Sequence, residues 1–117
     1  MYWITENLGT ASLPEFEAVK KLKDIEVVLV KDLKDGKQRS KGQFESKVKK
    51  VEWVINKKRK KCVIICVGGI SRSNAVALAY LVKNGMDFDK AYNLIRKKVN
   101  IAQINMDLID HIKQKYL

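Results

Sequence analysis

Cys66 and Arg72 stand six positions apart, with Gly68 and Gly69 between them and Ser73 and Asn74 directly after. The apolar run Val63-Ile64-Ile65 leads into the cysteine, and the stretch from Ala75 to Val82 is apolar again. That order predicts a buried strand, a tight loop and a buried helix. Such a loop leaves backbone N–H groups unpaired at a helix N-terminus, where the partial positive charge favours an anion. A thiol at the loop's entry and a guanidinium at its exit would face each other across that anion. The chemistry predicted is a thiolate aimed at a phosphate.

A free thiol has a pKa of about 8.5. A helix N-terminus and a neighbouring arginine stabilise the thiolate, and such settings bring cysteines to between about 3.5 and 7.5. In-line attack by Cys66 on phosphorus would give a phosphocysteine. The amides of Val67, Gly68, Gly69, Ile70, Ser71 and Arg72 would hold the phosphate oxygens, and the planar guanidinium of Arg72 can donate two parallel hydrogen bonds to them. Ser73 can donate to the sulfur when it leaves in the second step. A cysteine and an arginine at this spacing are common by chance. The strand, paired glycines, hydroxyl and buried helix together are what separate this pattern from a core cysteine before an ordinary glycine turn.

The rest of the chain supplies elements to position that loop. Tyr2 to Ile4 and Leu8 to Ala11 read as two short strands joined by a turn. Ser12-Leu13-Pro14-Glu15 has capping-box spacing and opens a helix to about Lys23, with Phe16, Val19 and Leu22 inward. Ile25 to Val30 is a β-branched core strand, and Lys31 to Gly42 is a polar loop. Phe44, Val48, Val51 and Ile55 form a helical stripe that Trp53 and Val54 widen. Asn84-Gly85 stops the buried helix. Asp87 caps the next, with Ala91, Tyr92, Leu94, Ile95 and Val99 inward, and a last helix runs from about Ile104 to Tyr116. Strands early, alternation in the middle and helices at the end predict an α/β layer fold, with the Cys66 loop beyond the carboxyl end of a central strand.

At 117 residues the chain is expected to be a single domain spanning 1–117. No apolar run approaches the roughly 18 residues of a membrane span and no signal-peptide pattern is present, so an intracellular, cytoplasmic protein is expected. Cys62 and Cys66 on one strand would stand about 13 Å apart, too far for a disulfide. With the lone His111, expected on the surface of the last helix, they fit no zinc pattern. The net charge is +11. From Lys31 to Lys61 there are 13 Lys/Arg against four Asp/Glu, an excess of nine that reads either as a solvated face or as an apron for a polyanion such as RNA or anionic lipid.

Cys66-x5-Arg72-Ser73 resembles the signature loop of the cysteine-dependent protein tyrosine phosphatase superfamily. Gly69-Ile70-Ser71-Arg72-Ser73 with Ala79-Tyr80-Leu81 is most similar to its dual-specificity branch. Asn7 to Ala11 resembles the family's opening strand, and Ala91-Tyr92 with Ile95-Arg96 its helix after the loop. The resemblance implies a compact phosphatase fold with a short, mostly parallel sheet flanked by helices. It implies no metal or other cofactor, and phosphorylated proteins or peptides as substrates, with phosphotyrosine and also phosphoserine or phosphothreonine hydrolysed. It also implies a general acid on a loop about thirty residues before the cysteine. Asp35 lies 31 positions upstream and Asp32 lies 34 upstream, with Asp35 the preferred candidate.

Three departures stand out. Ile65 replaces the usual histidine and removes one polar support for the thiolate. The chain between Val30 and the candidate acids is short, which implies a shallow, open site. The usual Pro-Asn after the penultimate helix is missing, and Gln103 or Asn105 stands in that region. Other readings are an RNA 5′-triphosphatase, a phosphoinositide phosphatase, or a non-catalytic phosphopeptide-binding module.

Overall fold

The computed structural model describes residues 1–30 and 42–117. Among these residues four strands form one sheet in the order β1-β2-β4-β3: β1 is Tyr2–Trp3, β2 Leu8–Ser12, β3 Ile25–Leu29 and β4 Lys61–Cys66. β1 pairs antiparallel with β2, while β4 lies between β2 and β3, parallel to both. The register runs Leu8↔Cys62 to Ser12↔Cys66 on one side and Ile25↔Lys61 to Leu29↔Ile65 on the other. A parallel strand covered on both faces must be apolar along its length. β4 meets that requirement, every residue from Cys62 to Cys66 being buried.

Side chains alternate across a strand. Val63 and Ile65 enter a small cluster with Ala11 and Val19, the latter from α1 (Phe16–Lys20). Cys62, Ile64 and Cys66 enter the main core on the other face. That core is built on α2 (Gln43–Glu52), α3 (Arg72–Lys83), α4 (Phe88–Lys98) and α5 (Met106–Tyr116). α3 is its axis: all residues from Ser73 to Val82 are buried. Its stop is a Schellman motif, in which Met86 N–H donates to Leu81 O and Gly85 N–H to Val82 O, with Gly85 at φ +104°.

The structure shortens two expected helices. A 3-10 turn over Leu13–Glu15, carrying Pro14, precedes α1. The Ser12 N–H and hydroxyl both donate to Glu15 Oε1 at 3.0 Å. α1 then ends at Lys20, where Leu22 N–H turns back to Val19 O and Asp24 adopts φ +61°. Leu22, expected inward, is therefore exposed. α2 runs into a π-helical turn over Trp53–Lys57, closed by Lys58 N–H donating to Trp53 O at 3.0 Å. The wider turn rotates its residues, so Val54 takes the inward place and Trp53 is 52% exposed. His111 is also less peripheral than expected. It is half-buried on α5, bonded through Nε2 to the Glu45 carboxylate of α2 and packed edge-on against Phe44. Among the described residues no helix is long and apolar enough to cross a membrane.

Candidate active site

Cys66 is the last residue of β4 and is 2% exposed. Its Sγ accepts from the Gly69 N–H at 3.2 Å and lies 3.3 Å from Ser73 Oγ. A thiolate can only accept, so with the sulfur ionised both neighbours act as donors to it. Ser73 is fully buried on the first turn of α3.

The loop between them is held by its carbonyl groups. Val67 O accepts from Leu13 N–H at the end of β2, and Ile70 O from Gln103 N–H at 3.0 Å. Asn74 Nδ2 donates to both Gly69 O, at 3.1 Å, and Ile70 O, at 3.0 Å. Thr10 Oγ1 in turn donates to Asn74 Oδ1 at 3.2 Å, and both side chains are completely buried. In a planar trans peptide the N–H points opposite to the preceding C=O. Fixing the oxygens of Val67, Gly69 and Ile70 outward therefore turns the N–H groups of Gly68, Ile70 and Ser71 toward the loop's interior. Those of Gly68 and Ile70 donate to no group among the described residues. The result is a concave set of amide donors at the start of a twelve-residue helix, an anion cradle.

Gly69 has φ +69°, and a Cβ there would meet Ser12 N at 3.2 Å and the Ala11 carbonyl carbon at 3.3 Å. The loop thus presses its backbone against β2, an approach only glycine permits. Ser71 is the N-cap residue of α3, and its Oγ accepts from Asn105 N–H at 3.0 Å. Arg72 follows as the first residue of that helix and is half-buried. Asn105 uses its own side chain to cap α5 through Asp107 N–H at 2.8 Å. The side chain of Gln103 is left exposed beside the loop.

Of the residues expected in the site, Cys66, Val67, Gly68, Gly69, Ile70, Ser71, Arg72 and Ser73 are brought together by one strand–loop–helix. Asp35 and Asp32 lie outside the described residues. Ile65, in the place of the usual histidine, is fully buried among Ala11, Val19 and Val63. Cys62 faces the main core, where burial first and the Glu26 carboxylate second push its thiol up to about 12. Sequence reasoning missed Asn74 and Thr10. A signal was present, because asparagine competes with helical backbone bonding and here directly precedes the apolar run from Ala75 to Ala79.

The family profile described as "Dual specificity phosphatase, catalytic domain" matches residues 4–116. Comparison with curated protein sequences found no match. Solved structures share the fold. Human DUSP28 superposes with a TM-score of 0.75 at 18% identity, covering 97% of this chain and 94% of that one. A leucine rich repeat and phosphatase domain containing protein from Entamoeba histolytica gives 0.76 at 16%, covering 97% and 88%. The PTP-2 phosphatase of Cydia pomonella gives 0.74 at 16%, again covering 97% and 88%. A profile match over nearly the whole chain shows that it belongs to the dual-specificity phosphatase catalytic-domain family, within the cysteine-dependent protein tyrosine phosphatases.

Proposed function

We propose that Cys66 is the nucleophile of this phosphatase, acting on phosphotyrosine and on phosphoserine or phosphothreonine in proteins. The observation that carries the assignment is the position of its sulfur, with the Gly69 amide at 3.2 Å and the Ser73 hydroxyl at 3.3 Å at the edge of an amide cradle. In the first step a P–S bond forms as the ester P–O bond breaks. The inward amides and the Arg72 guanidinium take up the charge on the three equatorial oxygens. The departing phenolate or alkoxide takes a proton from Asp35, with Asp32 the alternative. In the second step the resulting carboxylate removes a proton from water, which attacks phosphorus. The P–S bond then breaks, and Ser73 donates to the returning thiolate. Inorganic phosphate leaves and the aspartic acid is restored.

Asp35 is supported by its spacing and by the position of Val30, five residues before it. Val30 N–H donates to Ile65 O at 2.8 Å, so the chain leaving β3 is bonded to the residue just before Cys66. In this reading residues 1–117 are one catalytic domain. A free nucleophilic thiol suits a reducing compartment, which supports a cytoplasmic location in this reading. The family match favours this function over RNA 5′-triphosphate or phosphoinositide hydrolysis and over binding without turnover.

The test is phosphate release from a small aryl phosphate. Cys66→Ser should abolish it, and rapid acid quench of the wild type should trap phosphate on the Cys66 peptide. Equal rates in the two proteins would sink the assignment. Asp35→Ala should lower turnover of an alkyl phosphoester more than that of an activated aryl ester, since only the former needs a protonated leaving group. If Asp32→Ala behaves so instead, Asp32 is the acid.

A further inference from the structure

Two adjoining cavities of about 560 and 450 Å³ share Asn7 and Ile55 in their walls. They lie where the parallel strands begin. Asn7 precedes β2, Arg59 and Lys60 precede β4, and Asn84 to Asp87 follow the end of α3. β4 climbs five steps of roughly 3.3 Å from this end to Cys66, and α3 returns over twelve residues of about 1.5 Å each. Both routes put the groove about 16–18 Å from the catalytic loop, at the opposite pole of the sheet.

This pole holds five consecutive cations, Lys57 to Lys61. Lys58 is paired with Glu26, and Lys61 lies over the Trp3 ring at 5.4 Å. Arg59 and Lys60 line the groove, are exposed, and have no ion-pair partner among the described residues. Lys90 enters from α4 on the far wall. Among the described residues the one carboxylate in the walls is Asp87, which already accepts from Lys90 N–H as the cap of α4. The groove therefore carries net positive charge, with Ile55 and Leu81 among its lining residues and Asn7 shared between the two cavities.

We propose that this groove docks an acidic, Asp/Glu-rich segment of the protein substrate while the phosphorylated residue occupies the Cys66 loop. Its role in catalysis rests on the phosphatase reading above; its capacity to bind does not. The lining favours polypeptide over nucleic acid. Among the described residues its only aromatic, Tyr80, is buried and donates its hydroxyl to Asn56 at 3.1 Å, which gives a base no platform to stack on. The exposed Trp53 nearby already has Lys58 Nζ over its ring at 4.8 Å. An extended chain covers at most about 3.3–3.6 Å per residue. The acidic run must then lie at least about five residues from the phosphorylated one, and about ten if the peptide follows the surface. Tethering at one site raises the effective concentration at the other.

Two measurements test this. A fluorescent Glu-rich peptide without phosphate should bind the wild type saturably, and Arg59→Glu/Lys60→Glu should weaken binding by about tenfold or more, as reversed charges at a complementary surface do. A phosphopeptide with an acidic run about ten residues from its phosphorylated residue should show a higher kcat/KM than the same peptide without the run. That advantage should vanish in the variant, while both proteins hydrolyse a small aryl phosphate equally. Equal peptide affinity in wild type and variant overturns the proposal. So does tighter binding of single-stranded RNA or anionic vesicles than of the peptide at matched charge and salt. If aryl phosphate hydrolysis is missing altogether, the phosphatase reading fails, and the binding measurement still decides the groove.

Discussion

Asn74 Nδ2 stands 3.1 Å from the carbonyl oxygen of Gly69 and 3.0 Å from that of Ile70, donating to both from a side chain with no solvent exposure. The residue sits just past the Cys66 loop and faces back onto it, so its bonds decide which way two peptide planes point. Asn74→Ala removes both donors and leaves two loop carbonyls and the Thr10 hydroxyl without these partners. The expected stability cost is about 1–3 kcal/mol, the usual penalty for stranding buried polar groups. The readout beyond stability is anion binding: affinity for vanadate or phosphate should fall along with kcat/KM, because the Ile70 and Ser71 amides lose their orientation. Thr10→Val should show the same pattern more weakly. Unchanged oxyanion affinity in a destabilised Asn74→Ala would show that the strut serves folding alone.

Gly69→Ala is predicted to be more damaging than its size suggests. The new methyl group would meet backbone atoms of Ala11 and Ser12 at 3.2–3.4 Å, at a φ of +69° that side chains disfavour. Left-handed strain alone costs on the order of 1–2 kcal/mol. Moving the loop off β2 would also shift the Gly69 N–H away from Cys66 Sγ. Turnover of the aryl phosphate should fall about a hundredfold, as an ångström-scale misplacement in an active site does. Gly85→Ala, at the end of α3 where a Cβ would meet nothing within 4 Å, should lose stability of similar order and keep its activity.

The loop was legible in the sequence because its constraints are local. A strand must precede Cys66, glycine must allow the turn, and an apolar helix must follow. The sheet order was not legible in the same way, since pairing β4 between β2 and β3 joins segments separated by tens of residues. Local periodicity also misplaced Trp53 and Leu22. A π turn and an early helix stop each rotated a side chain away from the expected stripe, and both depend on backbone bonds rather than on residue type. His111 was misjudged for another reason. Its position follows from the packing of α5 on α2, which brings Phe44 to it, and Glu45 across a sequence separation of 66. The strut of Asn74 and Thr10 is a contact over 64 positions; only the anomaly of a polar residue in an apolar helix hinted at it.

Ser73→Ala should separate the two chemical steps. The hydroxyl lies 3.3 Å from the sulfur and has a fully buried side chain. Its donation is most valuable when the sulfur carries full negative charge, as the P–S bond breaks. Phosphoenzyme formation should be little affected and its breakdown slowed by about 10²-fold or more, within the range seen for removing one donor from a developing anion. Rapid mixing with an aryl phosphate should then show a burst of phenol equal to the enzyme concentration, followed by a slow steady state. No burst, with both steps slowed equally, would assign Ser73 to the ground state of the nucleophile instead.

The two cysteines should behave as chemically different groups. Cys62, four residues before Cys66 on the same face of β4, is held as a thiol up to about 12 by burial and by Glu26. Since only the thiolate reacts with alkylating agents, iodoacetamide at neutral pH should leave Cys62 unmodified in the native protein and modify it only after unfolding. The same shift sets a pH dependence. An unfolded Cys62 releases its proton near the ordinary value of 9.0, whereas the folded one holds it to about 12. Between those values the unfolded state binds fewer protons, so stability falls as pH rises through this window, and below about 9 the group contributes no slope. At 1.36 kcal/mol per unit the loss reaches roughly 4 kcal/mol by pH 12. Urea unfolding of the wild type and Cys62→Ala from pH 8 to 11 tests this. The variant should start less stable, from lost packing, and lose less stability on the alkaline side; parallel curves would show that Cys62 does not titrate in this range in either state.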